Sequence, residues 1–291
     1  MKEYLDYLKN DKKKADNTLL AYERDIRSFE EFLKTRGKGL DSCTEGDAVA
    51  YVLGLKNQNK SRPTVNRRIS SLRAFYEYKL DKGVVGSNPF NKLKSSKAEA
   101  RDISYLTVEE VFALLELPDD SPKGVRDRAL LEFMYGTGIR VTELVRMKCE
   151  DLSLRMNFAT IRDANGESRI VPLGHYAHDA LDDYLKRAYT VLKGSELEPE
   201  DYLFINRSGE CLTRQGIWKI LKEYGKKIGV EDKMTPQVLR DSFAVHILQN
   251  GGDLKTLQEL MGFDDMSAGI AYLALTDIHI KDVFMKTHPR A

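Results

Sequence analysis

Thr235-Pro236-Gln237-Val238-Leu239-Arg240-Asp241-Ser242-Phe243-Ala244-Val245-His246 reads as the opening of a helix that stops at Gly251-Gly252, and it decides how the C-terminal two thirds of the chain is organised. Asp253 caps a further helix, with Leu254, Leu257, Leu260 and Met261 along one side and Gly262 at its end. Ala271-Tyr272-Leu273 then lies near the start of another helical stretch. The 32 residues from Arg240 to Tyr272 are enough for two helices to double back and bring a guanidinium and a phenol together.

Upstream, Arg126 to Met134 is helical and apolar and runs into Tyr135-Gly136-Thr137-Gly138, after which Ile139-Arg140-Val141-Thr142-Glu143-Leu144 reopens a helix. An arginine at a glycine-preceded helix start lies near backbone N–H groups that attract anions. A plain surface pair of Arg140 with Glu143 is the ordinary alternative. Asp151-Leu152-Ser153 leads to two predicted strands, Phe158 to Arg162 and Arg169 to Leu173, around the hairpin signal Asn165-Gly166. Thr107 and Glu110 form a capping box for a helix through Leu115.

The N-terminal third is a set of predicted helices joined by short turns. Thr18 to Thr35 places Leu19, Tyr22, Ile26, Phe29 and Leu33 on one stripe that Gly37 and Gly39 end. Glu45 to Lys56 carries Val49, Val52, Leu53 and Leu55. A third helix, with Ser61 at its cap and Pro63 in its first turn, buries Val65, Ile69, Leu72, Tyr76 and Leu80. Arg68 and Arg73 flank that stripe and Arg67 points away from it, so all three are candidates for contact with phosphates, against the alternative of solubilising charge. Residues 91–104 have no apolar periodicity and read as a linker. The predicted division is a helical domain over 1–95, a linker over 96–104 and a second domain over 105–291.

At 291 residues the chain is long enough for two domains with their own cores. Its net charge of +1 hides an asymmetry: residues 1–100 carry 21 Lys+Arg against 14 Asp+Glu, or +7, and the remainder 25 against 31, or −6. A basic first third suits a polyanion, because neutralised phosphates release counterions. No run of eighteen apolar residues is present, which predicts a cytoplasmic protein without a membrane partner. Cys43, Cys149 and Cys211 are three in number and far apart, and support neither a disulfide framework nor a zinc site. His175 and His178 have a ligand-like spacing but no evident third ligand, so no metal is expected.

Three motifs in order carry a resemblance. GTGIRVTELVRMKCEDLSL, TPQVLRDSFAVHILQNGGDLKTLQELMG and IAYLAL resemble the two arginine motifs and the nucleophile segment of the tyrosine recombinases, close to the Xer branch, and the resemblance covers essentially the whole chain. It implies a mainly α fold with a small β-hairpin or sheet: an N-terminal helical bundle that binds duplex DNA, followed by an α+β catalytic domain. It also implies site-specific recombination through a 3′-phosphotyrosyl intermediate, with no cofactor. In that chemistry Tyr272 is the nucleophile, and Arg140 and Arg240 hold the non-bridging phosphate oxygens as charge builds in the transition state. Self-association on DNA as a tetramer, or with a partner recombinase, is implied in the same way. The segment Asp277 to Lys286 has the pattern of a short tail helix that would dock on a neighbour or on its own domain.

The chain departs from the family pattern at the catalytic positions. Ala164 stands where a lysine on the hairpin turn would protonate the leaving 5′-oxygen, Gln237 where a histidine precedes the second arginine, and Phe263 where a histidine or tryptophan follows the Leu-Met-Gly run. Asp241 replaces a further frequent histidine and is positioned to draw Arg240 toward itself. Arg162 shares a strand face with Ala164 but is a poor proton donor. Two readings stay open: an active recombinase, slowed by these losses, and a catalytically impaired DNA-binding accessory protein on the same scaffold.

Overall fold

Apolar residues at three- and four-residue spacing run through most of the sequence, and the described residues accordingly fold mainly as helices, with one three-stranded sheet among them. The structure is a computed structural model that describes residues 1–14, 16–94, 103–263 and 266–275. The predicted tail helix over 277–286 and most of the predicted linker over 96–104 lie outside the described residues. The chain divides into two units, residues 1–100 and 101–291.

The first unit contains α1 (Lys2–Asn10), α2 (Asp16–Lys34), α3 (Glu45–Asn57) and α4 (Arg62–Asp81). Its core is aromatic: Phe29 meets Tyr51 and Phe90 edge to face at centroid separations of 4.9 and 5.1 Å, an arrangement that adds specificity to plain burial. Thr44 caps α3 in a reciprocal box with Asp47. The Asp47 carboxyl is held well below the usual carboxylate range, first by the Lys38 ammonium and then by the Thr44 hydroxyl. The apolar stripe predicted for α3 is only half realised: Val52 and Leu55 are buried, whereas Val49 and Leu53 face solvent.

The second unit continues with α5 (Val108–Leu115), α6 (Pro122–Thr137) and the one-turn α7 (Val141–Leu144). The antiparallel strands β1 (Leu152–Ser153), β2 (Phe158–Arg162) and β3 (Ser168–Pro172) follow, in register from Phe158 opposite Pro172 to Arg162 opposite Ser168. β3 is shifted one residue earlier than its sequence pattern predicts. Next come α8 (His175–Asp183), a π-helical turn over Tyr184–Ala188, α9 (Tyr189–Lys193) and α10 (Arg214–Lys227). The last three helices among the described residues are α11 (Pro236–Gln249), α12 (Leu254–Met261) and α13 (Ser267–Leu273). Helix α6 runs through the centre, burying Ala129, Leu130, Leu131, Phe133 and Met134 and packing against α8 and α11. Phe243, Val245 and Leu248 of α11 form a second cluster with Leu257, Met261 and Tyr272, which fixes α12 and α13 on α11. No helix among the described residues is long and apolar enough to cross a membrane.

Candidate active site

The site is assembled where α6 stops, α7 starts and α12 ends. Gly138 closes α6 in the left-handed conformation at φ +58°, and a Cβ there would come within 2.5 Å of the Phe243 ring, so both backbone angle and space demand glycine. Its carbonyl accepts a hydrogen bond from Arg240 Nη1. Two residues on, Arg140 caps α7, and its N–H donates to Glu143 Oε2 at 2.9 Å. The pairing of Arg140 with Glu143 read from the sequence therefore exists, with Nη1 on Oε1 at 2.9 Å.

Glu143 is 4% exposed and also holds Arg169 of β3 in a two-pronged contact, Nη1 on Oε1 at 2.9 Å and Nη2 on Oε2 at 2.8 Å. Burial alone would raise the Glu143 carboxyl, but Arg169 and then Arg140 outweigh it and keep the group below its ordinary range. Sequence reading missed Arg169. A lone arginine in an amphipathic strand carries no signal of a buried partner 26 positions upstream.

Three arginines then meet the C-terminal end of α12 on consecutive carbonyls. Arg169 Nε donates to Leu260 O at 2.8 Å, Arg240 Nη2 to Met261 O at 2.7 Å and Arg140 Nη2 to Gly262 O at 2.6 Å. The last carbonyls of a helix have no partner of their own and carry the negative end of its dipole, so cations are well placed there. Arg240 is only 4% exposed. Burial and the neighbouring Arg140 cation lower its pKa to about 10, with Glu143 working in the opposite direction. Among the described residues, Arg140 and Arg240 each spend two of their five N–H donors on these contacts, which leaves three apiece to meet an oxyanion.

Tyr272, on α13, is 3% exposed. Its hydroxyl donates to Asp241 Oδ1 at 2.7 Å, and Gln237 Nε2 donates to the same oxygen at 2.8 Å. The tyrosine ring stacks on Phe263 at 6.2 Å with an interplanar angle of 20°, and the Arg240 guanidinium lies 5.5 Å from the centre of that same Phe263 ring. The structure thus gathers Arg140, Arg240, Tyr272, Gln237 and Phe263 into one region. Asp241 is drawn into hydrogen bonds with the tyrosine and the glutamine, a contact with the nucleophile candidate that sequence reading did not foresee.

Ala164 lies in the turn between β2 and β3 and lines a cavity of about 620 Å³ together with Arg140, Glu143, Arg169 and Phe263. Arg162 does not line that cavity; it pairs with Asp151. A second cavity, of about 400 Å³, is shared by Arg140, Arg240, Gln237, Arg214 and Trp218. In the first unit, Arg68 bonds Ser28 and Tyr51 at 3.0 and 2.8 Å, and Arg73 bonds the carbonyls of Phe90 and Leu93. Both therefore knit the bundle together. Arg67 is the most exposed of the three candidates, with its guanidinium paired to Asp25.

The phage integrase family model matches residues 104–279, and the model of the phage integrase N-terminal SAM-like domain matches residues 1–83. The XerD tyrosine recombinase of Listeria innocua serovar 6a is 39% identical over 292 residues, covering 99% of this chain and 98% of that protein. The XerD tyrosine recombinase of Staphylococcus haemolyticus is 34% identical over 293 residues, covering 100% and 99%. Among solved structures, the XerA recombinase is similar at 26% identity and a TM-score of 0.54, covering 100% of this chain and 99% of that one. XerH in a post-cleavage complex with a palindromic difH substrate reaches a TM-score of 0.77 at 19% identity, covering 91% and 78%, a likeness of fold.

Proposed function

The chain belongs to the phage integrase family of tyrosine recombinases, on its Xer-like branch, and on that premise we propose that it recombines DNA site-specifically through a covalent link to Tyr272. Tyr272 Oη attacks the scissile phosphorus, the bond to the 5′-oxygen breaks, and a 3′-phosphotyrosyl bond keeps the energy of the phosphodiester for rejoining. Arg140 and Arg240 hold the non-bridging oxygens, where a planar guanidinium fork suits the charge that builds in the transition state. The observation that supports this reading most is the convergence of Arg140 and Arg240 on consecutive carbonyls, Met261 and Gly262, beside the Phe263 ring on which Tyr272 packs. The first unit, with its excess of seven positive charges over residues 1–100, supplies the affinity for duplex DNA. Partners are DNA and further protomers.

The reaction is slow at its leaving group. The side chain of Ala164 ends in a methyl group beside the cavity that Arg140 lines, and no proton donor comes from that position. A missing general acid costs about 10²–10⁴-fold in rate. This also favours a second role, in which the protein serves mainly as a DNA-binding subunit whose own strand cleavage is rare.

The test uses duplexes selected by the protein from a randomised library and rebuilt as nicked suicide substrates. One carries an ordinary phosphate at the cleavage position and the other a 5′-bridging phosphorothiolate, whose thiolate leaves without an acid. SDS-resistant adducts are expected on the phosphorothiolate, absent in Tyr272→Phe, and scarce on the phosphate. Equal yields on both would overturn the account of Ala164, and adducts that persist in Tyr272→Phe would overturn the assignment of the nucleophile.

A further inference from the structure

The three positions nearest to the Tyr272 ring that depart from the family pattern are not scattered losses. Gln237, Asp241 and Phe263 form one connected group around the tyrosine: an amide on a carboxylate, the carboxylate on the phenol, and a ring against the phenol's face. We propose that Asp241 is the proton acceptor for Tyr272, a catalytic residue that rests on the reading of Tyr272 as nucleophile.

Of the side chains around the phenol, Gln237 is a neutral amide, Phe263 has no polar atom and Arg240 is a cation. Among these described side chains Asp241 offers the basic atom, and it is in place at 2.7 Å from the hydroxyl. Asp241 is 1% exposed and Tyr272 3%, so the pair is shielded from bulk water and the interaction keeps its strength. The Gln237 amide fixes the carboxylate oxygen that receives the proton. The hydroxyl is the donor in this contact, so the proton rests on the phenol before attack. It moves as the Oη–P bond forms and drains electron density from the oxygen. With the proton directed at Asp241, a lone pair of the phenol is left for phosphorus.

The steps balance in both directions. In cleavage the Tyr272 Oη–P bond forms as the P–O5′ bond breaks, the phenolic proton passes to Asp241 Oδ1, and the 5′-oxygen takes a proton from water. In rejoining, the 5′-hydroxyl attacks the phosphotyrosyl phosphorus and gives its proton to water, and the departing Tyr272 oxygen recovers its proton from Asp241.

The experiment follows adduct formation on the nicked phosphorothiolate duplex, which removes the leaving-group proton from the rate. Asp241→Asn keeps an acceptor for the hydroxyl but cannot take a proton, and it is expected to slow adduct formation about 10²–10⁴-fold with retention on the duplex unchanged. Asp241→Glu is expected to recover part of the loss. An Asp241→Asn rate equal to that of the unaltered protein would overturn the proposal. So would a faster one, because the contact would then be a restraint on an idle tyrosine. Should Asp241→Asn fail to fold, the unaltered protein decides: slower adduct formation in D₂O than in H₂O is expected, and equal rates overturn the proposal. A complete absence of adducts in the unaltered protein would instead overturn the reading of Tyr272, and this one with it.

Discussion

Arg140 and Arg240 are coupled through the C-terminal end of α12, Arg240 Nη2 on Met261 O at 2.7 Å and Arg140 Nη2 on the next carbonyl, Gly262 O, at 2.6 Å. Neither guanidinium can shift without moving the turn that the other grips. Gly262 makes that turn possible by closing α12 in the left-handed conformation at φ +62°. A Cβ there would lie 3.0 Å from Arg169 Nη1, the third arginine on the same helix end.

Gly262→Ala is therefore expected to do two things. The left-handed backbone disfavours a side chain by roughly 1–2 kcal/mol, read as a lower urea midpoint. The displaced Arg169 and turn also misplace Arg140 and Arg240, the proposed phosphate holders, so adduct formation on the phosphorothiolate duplex falls further than the lost stability explains. Unaltered adduct kinetics in a folded variant would sink the coupling through this turn.

Ala164→Lys restores a donor at the β2–β3 turn, facing a cavity of about 620 Å³ with room for the longer chain. Cleavage of the ordinary phosphate is expected to rise by about 10²-fold or more, because the leaving 5′-oxygen regains its acid. Cleavage of the phosphorothiolate should hardly change. A parallel gain on both substrates would point to tighter DNA binding and not to acid catalysis.

Much of this site is legible in the sequence because its parts sit at helix ends, where capping residues and glycines punctuate the pattern: Gly138 before Arg140, Thr235 before Arg240, Gly262 before Phe263. The β2–β3 hairpin is legible for the same reason, since Asn165-Gly166 is a local turn signal. What is not legible is long-range. Arg169 pairs with Glu143 and caps Leu260 across three separate elements, and nothing in its strand marks it as the partner of a buried carboxylate. Likewise, the link from Asp241 to Tyr272 depends on how α13 folds back onto α11, which no local rule sets. Arg68 and Arg73 illustrate the converse. An arginine flanking an apolar stripe can reach phosphate or an interior carbonyl, and here the partners include Tyr51 and Phe90.

Arg169→Met tests whether the arginine of β3 carries the site from behind. Glu143 would keep Arg140 but lose its two-pronged partner while staying buried. Removing one partner of a buried pair costs about 3–5 kcal/mol, and the remaining Arg140 contact should bring the loss to about 2–3 kcal/mol in chemical denaturation. Arg140, now the cation left in direct contact with Glu143 among the described residues, is drawn toward it, and adduct formation should slow. Arg169→Lys keeps the charge without the fork and is expected to fall between the two proteins. A stability within 0.5 kcal/mol of the unaltered protein, roughly the range of a neutral surface change, would argue against a supporting role.

Glu132 supplies a prediction about pH. It lies on α6 in a groove of about 430 Å³ lined by Phe112, Leu115, Tyr135 and Tyr176. Burial pushes its pKa up from 4.5 to about 7, only partly opposed by Arg128, whose guanidinium is turned toward Pro118 O and Asp120. A raised folded-state pKa means that the folded chain binds the proton more tightly than the unfolded one. The resulting stability is fully present below pH 4.5 and is lost as pH rises through about 7. The loss is on the order of 1–3 kcal/mol after allowing for partial solvent access. His246 runs the other way, since burial lowers its pKa and its contribution grows with pH. The measurement is therefore the difference between the unaltered protein and Glu132→Gln across this range, in which His246 cancels. The variant is expected to gain relative stability from about pH 4.5 to about pH 7 and to level off above that, and a difference that stays flat would show that Glu132 titrates as an ordinary surface carboxyl.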